Sequence, residues 1–332
     1  MIRAAALIAV TCLTVTTAVQ ADPVKLRVGG VAPSGDLVEI LFAKPGIAKH
    51  LDTSYSFEPI HFRGTPAMMT ATASGDLDIA VFSYSSFGLA IENAKMDDLR
   101  ILMDGFQDGV PGHYSDGYLV LKDSPIRAIE DLKGKVVATP GIGTARDVAL
   151  RAMLRSHHLE EKKDYTIIEI AMTNMKAILL EKKADLIAAS TLMAQDTELS
   201  SASRTLFTQT DAMGTTEEIV FGARQDFITK NRAAIIDFLE DALRARRFYF
   251  DPANHKEAVA IVAQFTKQPP EQLDPWLFTD HDYYRDPNGQ PNMKALQANL
   301  DLLRQLGFLK TQIEAQRYAA LDLVGEAAKR LK

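Results

Sequence analysis

KVVATPGIGTARDVALRAMLR, residues 135–155, sets the reading of this chain. Lys135 to Ala138 is a short apolar run suited to a strand, and Gly141 and Gly143 make a turn. Thr144 then opens a run in which Val148, Ala149, Ala152 and Met153 recur at helical spacing. Strand, glycine turn and helix together offer free helix N–H groups to an anion. The nucleotide-binding forms do not fit. A dinucleotide fingerprint needs a third glycine where Arg146 stands, and no G-x-x-x-x-G-K-[ST] run occurs. Two readings of the loop stay open. Thr144 with Asp147 resembles a capping box, with Asp a poorer partner than Glu or Gln. The same hydroxyl, with Gly143 and Arg146 beside it, also suits a ligand.

The pattern repeats outward from this stretch. Lys25–Val31 alternates like a strand, Pro33-Ser34-Gly35 turns, and Asp36 begins a predicted helix with Leu37, Ile40 and Leu41 on one face. YSFEPIHF (55–62) reads as a strand, followed by Arg63-Gly64-Thr65-Pro66, where Thr65 is a predicted N-cap and Pro66 the first helical residue. Gly75 is placed to end that helix. LDIAVFS (77–83) is a buried strand turning at Tyr84-Ser85-Ser86 into another helix, and LRILMDGF (99–106) is a further strand. A second unit follows: GYLVLK (117–122), the opening stretch, YTIIEIA (165–171) with Met172-Thr173-Asn174 after it, and ADLIAAS (184–190). GDLDIAVFS in the first unit and KADLIAAS in the second match in type and place. EEIVFGARQDFI, from Glu217, reads as a strand, and amphipathic helices run from there to the C-terminus. Alternating strands and helices predict an α/β chain of two mostly parallel sheets, with ligands outside the carboxyl ends of the strands.

Composition narrows the class. Met1-Ile2-Arg3, the apolar run 4–19 and Val19/Ala21 before Asp22 have the form of a cleaved secretory leader, so the mature chain is expected to be exported to the periplasm. The single cysteine, Cys12, lies in that leader without a lipoprotein signature around it. Disulfides and thiolate metal sites are therefore not expected in the mature chain. Its 36 basic and 43 acidic residues leave a charge of about −7, which argues against nucleic acid as a partner. The remaining histidines form no metal pattern: His157 and His158 are adjacent, and His281 sits in the polar loop TDHDYYRDPNG, read as solvated. No G-x-S-x-G elbow and no H-E-x-x-H is present. No cofactor is expected.

FRGTPAMMTATASGDLDIAVFSYSS, SPIRAIEDLKGKVVATPGIGTARDVALRAML and LDLLRQLGFLK together resemble the exported substrate-binding proteins of ABC importers. The resemblance is to the branch holding sulfonate, taurine, nitrate and thiamine-pyrimidine binders, and it covers nearly the whole mature chain. It implies a two-lobed periplasmic binding protein fold of the type II kind. Residues 22–111 and 216–332 would form lobe 1 and residues 112–215 lobe 2, after a leader over 1–21. It also implies capture of a small solute, expected here to be an organic anion because Arg63 and Arg146 sit at two of the loops. Delivery to the transmembrane subunits of an ABC permease would follow, by a monomer and without catalysis. A sensor of the same fold docking on a receptor is the alternative. A pyrimidine-synthesising enzyme of this fold would need cysteines that the mature chain lacks.

The candidate site follows from the loops. Ser34, Thr65, Ser83, Thr144 and Thr173 lie just after strands, where hydroxyls and helix N–H groups can hold an anion, although helix capping uses the same residues. Gly143, Asn174, Arg63 and Arg146 are placed with them. Tyr84, His113 and Tyr114 are candidates for an aromatic wall near the crossing between lobes, or alternatively for core and linker. Glu217, at the predicted return crossing, is a candidate acceptor for an amine or pyrimidine.

Overall fold

The structure, a computed structural model, describes residues 22–331. The predicted leader, with Cys12, lies outside the described residues. Two five-stranded sheets form the molecule. The first contains β1 (Val24–Gly30), β2 (Tyr55–His61), β3 (Ile79–Ser83), β4 (Leu99–Asp108) and β10 (Thr216–Arg224), in the order β2-β1-β3-β10-β4. The second contains β5 (Gly117–Leu121), β6 (Lys135–Thr139), β7 (Tyr165–Glu169), β8 (Leu186–Ala189) and β9 (Ser203–Thr208), in the order β7-β6-β8-β5-β9. In each sheet the three strands from one edge run parallel, and one strand arriving from the other sheet is antiparallel to both its neighbours. The sheets are thus copies of one topology, joined by residues 109–116 and 209–215.

The matched motifs GDLDIAVFS and KADLIAAS explain part of that identity. Asp78 accepts from the Arg27 N–H at 2.9 Å, and the Asp78 N–H donates to the Arg27 carbonyl at 3.0 Å. In the second sheet Asp185 accepts from the Val136 N–H at 2.9 Å, and its own N–H donates to the Val136 carbonyl at 2.7 Å. In both places an aspartate just before the third strand locks it to the first, setting the registers Val28↔Ile79 and Val137↔Leu186. The apolar residues after each aspartate are buried on both faces, as a central parallel strand requires. One hydrophobic core runs through both lobes, and a smaller cluster around Leu119, Met175, Leu179 and Ile187 lies in the second sheet. Among the described residues no helix is long and apolar enough to cross a membrane.

Three local expectations change. Asp36 does not begin an α-helix. Its carboxylate accepts from the N–H groups of Val31, Ala32 and Val38 at 2.7, 3.0 and 3.0 Å, so the chain wraps around it. Leu37 takes φ 67°, and only a 3-10 turn over Val38–Ile40 follows. Thr65 is the first residue of helix α1 (Thr65–Ser74), not its cap; Gly64 precedes it, and the Thr65 hydroxyl lies 3.1 Å from that of Ser83. QDFI is not strand: β10 stops at Arg224, where Gln225–Lys230 turns helical. Gly75, at φ 82°, does end α1, in the left-handed conformation that favours glycine.

Candidate functional site

The loops after the parallel strands face one another across the lobes. Ser83 caps helix α2 (Tyr84–Glu92) by accepting from the Ser86 N–H at 3.2 Å, and its hydroxyl joins those of Thr65, Ser85 and Ser86 in a buried chain. Thr144 caps helix α3 (Ala145–Ser156), accepting from the Asp147 N–H at 3.3 Å and donating to the Gly141 carbonyl at 2.7 Å. Asp147 reaches back to the Gly143 N–H, one residue before the cap, at 2.9 Å. Gly143 has φ 82°, a turn that a side chain would strain. The two helix starts touch: the Ser85 hydroxyl donates to the Gly143 carbonyl at 2.9 Å, and the buried Tyr84 hydroxyl to the Ala145 carbonyl at 3.2 Å.

Beside this contact, where the chain crosses between sheets, lies a buried polar nest. The Arg146 Nε stands 2.6 Å from Asp116 Oδ2, an ion pair whose N–H points off the oxygen. The Tyr283 hydroxyl donates to Asp116 Oδ1. It accepts from Arg146 Nη2 at 3.3 Å and from the Thr191 N–H at 3.4 Å. The Tyr283 ring packs 4.5 Å from Phe106 and edge-on to Tyr114 at 5.4 Å, measured between centroids. Behind Asp116, Asp108 accepts from the Asp116 N–H at 2.8 Å and the Ser115 hydroxyl at 2.6 Å. Glu218 Oε2 accepts from Gln209 Nε2 at 2.5 Å and the Thr216 hydroxyl at 2.9 Å. The hydroxyls of Thr139, Thr191 and Tyr114 are buried with no protein partner. Thr139 ends β6 and Thr191 follows β8, so both belong to the strand-end loops.

Burial governs the charges here. It pushes Glu218 up to about 7, with the neighbouring Asp116 adding to the rise and Arg146 opposing it. Burial raises Asp108 well above the usual carboxylate range, and Asp116 and Glu218 add to this. Asp116 is raised by burial and drawn back by Arg146. The nest therefore holds one guanidinium among three acids whose carboxyls burial raises.

The residues expected from sequence divide accordingly. Arg146 and Tyr114 come to the nest, and Tyr84, Ser83, Thr65, Gly143 and Thr144 to the interlobe contact beside it. Ser34 is half-buried, and its carbonyl accepts from Arg285 Nη2 at 3.0 Å. His113 packs on Tyr284 at 5.2 Å. Arg63, Thr173 and Asn174 are exposed and form no ion pair or hydrogen bond with the nest residues. Glu217 points to the opposite face of β10: it accepts from the Asn292 N–H at 2.7 Å and lies against Asp104, whose charge adds to the rise that burial gives its carboxyl. Its neighbour Glu218 is the acid that faces the nest, as strand alternation demands. Asp116, Glu218, Thr139, Thr191, Phe106 and Tyr283 are site residues that the sequence alone does not point to. The ending of ADLIAAS at Ser190-Thr191 was a usable signal; the polar look of TDHDYYRDPNG concealed Tyr283.

A histidine–acid group at His50, Asp237 and Glu240 lies elsewhere, on lobe 1. Its acids already bind cations, Arg330 at 2.8 Å from Asp237 and Arg244 at 2.7 Å from Glu240.

A family model described as NMT1/THI5 like matches residues 65–254. No curated protein matches the chain. Solved structures share its fold. The alkanesulfonate-binding protein SsuA from Xanthomonas axonopodis pv. citri, bound to MOPS, is 19% identical, with a TM-score of 0.71 over 90% of this chain and 99% of that one. The periplasmic nitrate-binding protein NrtA from Synechocystis PCC 6803 is 18% identical, with a TM-score of 0.72 over 93% and 89%. The desulfurization enzyme DSZB is 12% identical, with a TM-score of 0.65 over 93% and 100%. The match over more than half of its length makes this chain a member of the NMT1/THI5-like family, with the two-lobed fold of the periplasmic binding proteins.

Proposed function

We propose that this protein captures a small solute between its lobes, at the Asp116–Arg146–Thr191 nest, and delivers it to an ABC permease from the periplasm without chemical change. The observation that supports this most is the set of buried hydroxyls without a protein partner on Thr139 and Thr191, at strand ends of lobe 2, and on Tyr114, at the crossing. Buried polar groups are almost always paired, so such a cluster suits a molecule that supplies the missing partners. Arg146 and the Thr191 N–H would hold the solute's acidic or accepting group. Asp116 and Glu218 would take any N–H or O–H it carries. Phe106 and Tyr114 supply apolar walls, as small-molecule sites do.

A thermal-shift screen with alkyl and aryl sulfonates, nitrate, carboxylates, ureas and aminopyrimidines tests this. A solute at a hundred times its dissociation constant should stabilise by about 2.7 kcal/mol. Thr139→Val and Thr191→Val should keep the solute-free melting temperature and lose that shift. A shift that survives both substitutions would place the solute elsewhere.

A further inference from the structure

Tyr283 holds a position that the proposed solute would need. It comes from lobe 1, on the segment that follows Phe278, yet its hydroxyl sits among Asp116, Arg146 and the Thr191 N–H on the far side of the crossing. The backbone around it is pinned. Asp282 accepts from the Phe278 N–H at 3.0 Å and the Tyr283 N–H at 2.7 Å. Arg285 donates to the Ser34 and Gly35 carbonyls at 3.0 and 2.9 Å, and its guanidinium lies 5.1 Å from the Phe250 ring and 5.5 Å from Phe106. The ring, by contrast, has somewhere to go. Tyr283 forms part of the wall of a cavity of about 550 Å³, shared with His113, Phe250, Phe278, Tyr284 and Arg285. A turn of the side chain toward that cavity would vacate the nest without moving the loop.

We propose that Tyr283 is a built-in latch: its phenol bridges the lobes by occupying the nest, and a solute binds by displacing it into the adjoining cavity. This rests on the nest being the solute site. The latch lowers the apparent affinity by the fraction of molecules in which the nest is free. A hydroxyl bonded to a charged group makes that factor about tenfold to a hundredfold. It also selects: a solute that cannot bond both Asp116 and Arg146 recovers less than Tyr283 gives up.

The test uses paired labels, since the sequence's single cysteine is Cys12, in the leader. Spin labels on Thr70→Cys and Glu181→Cys, exposed residues of lobes 1 and 2, report lobe separation by pulsed electron resonance. Without added solute the parent should give one narrow distance distribution. Tyr283→Phe, which keeps the ring, should add a longer-distance population, and Tyr283→Ala a larger one. Titrations with MOPS, nitrate, benzoate and a 4-aminopyrimidine follow on parent and Tyr283→Phe. Any probe that binds the parent should bind Tyr283→Phe at least about tenfold more tightly. An unchanged distance distribution in Tyr283→Phe overturns the latch. Equal or weaker binding of a probe to Tyr283→Phe overturns the competition. If no probe binds either protein, the solute reading fails for these classes, and the latch is still decided by the distances.

Discussion

Replacing Glu218 with glutamine should make the protein more stable, and only above acidic pH. Glu218 is buried, and its carboxyl is pushed up to about 7 from an ordinary value of 4.5 by burial and by Asp116. An acid whose folded value is raised binds its proton more tightly in the native state. Its contribution is therefore neutral below about 4.5, becomes a growing cost as pH rises toward 7, and levels off above that. At about 1.36 kcal/mol per pH unit, the interval between those two values amounts to about 3 kcal/mol. Gln209 and Thr216 both donate to the same oxygen, Oε2. A glutamine carbonyl can accept both, while its amide takes the place of the protonated oxygen. Glu218→Gln should thus match the parent near pH 4.5 and exceed it by about 3 kcal/mol at pH 8. With about 2.1 cal/mol/K of unfolding entropy per residue, that is about 5 °C in melting temperature. Thermal unfolding of both proteins at half-unit steps from pH 4.5 to 8.5 reads the difference. A gap that does not widen with pH, or a glutamine variant less stable at pH 8, would refute the burial argument.

Other substitutions probe separate parts of the structure. Asp78→Ala removes bonds to the Arg27 N–H, Nε and Nη2 and should cost about 2–3 kcal/mol, against about 1 kcal/mol for Asp185→Ala, which loses chiefly the Val136 N–H; urea unfolding ranks the two. Gly289→Ala should cost more than about 2 kcal/mol, because Gly289 has φ 69° and a Cβ there would meet Met103 at 2.8 Å and Leu243 at 2.9 Å; a comparable melting temperature would contradict this. Arg146→Ala leaves Asp116 buried without its cation and should cost about 3–5 kcal/mol, most of it regained in Arg146→Ala/Asp116→Asn, as a double-mutant cycle would show.

Much of the architecture was legible because it is written in short-range pattern. Alternation, glycine stops and the twin Asp-containing motifs give two parallel units, although the hydrogen bonds by which Asp78 and Asp185 set the same register twice reach 51 and 49 residues back along the chain. The loop before α3 was legible as a cap for the same reason: Thr144, Gly143 and Asp147 act within four residues of each other. The helix expected at Asp36 failed because its carboxylate captures three backbone N–H groups, a competition that periodicity does not reveal. The nest was legible only in part. Arg146 and Tyr114 lie at predicted loops, but Asp116, Thr191 and Tyr283 meet across sequence distances of up to 167 residues. Glu217 is the acid that the sequence brings forward, while Glu218 faces the nest, because adjacent acids on a strand look alike until the sheet assigns each a face. Tyr283 is hidden in the sequence because its segment is polar in composition and its ring is buried by Phe106 and Tyr114 from elsewhere in the chain.

Hydrogen–deuterium exchange of the protein with and without the solute that shifts its melting temperature most would test the site directly. Protection should rise together in 106–118, 139–147 and 190–192, since a solute in the nest bridges the crossing and lobe 2, and in 278–285 if it takes the place of Tyr283. Protection confined to one lobe, or centred on the neighbouring interlobe groove lined by Leu89, Ile142 and Phe308, would contradict a solute held in the nest.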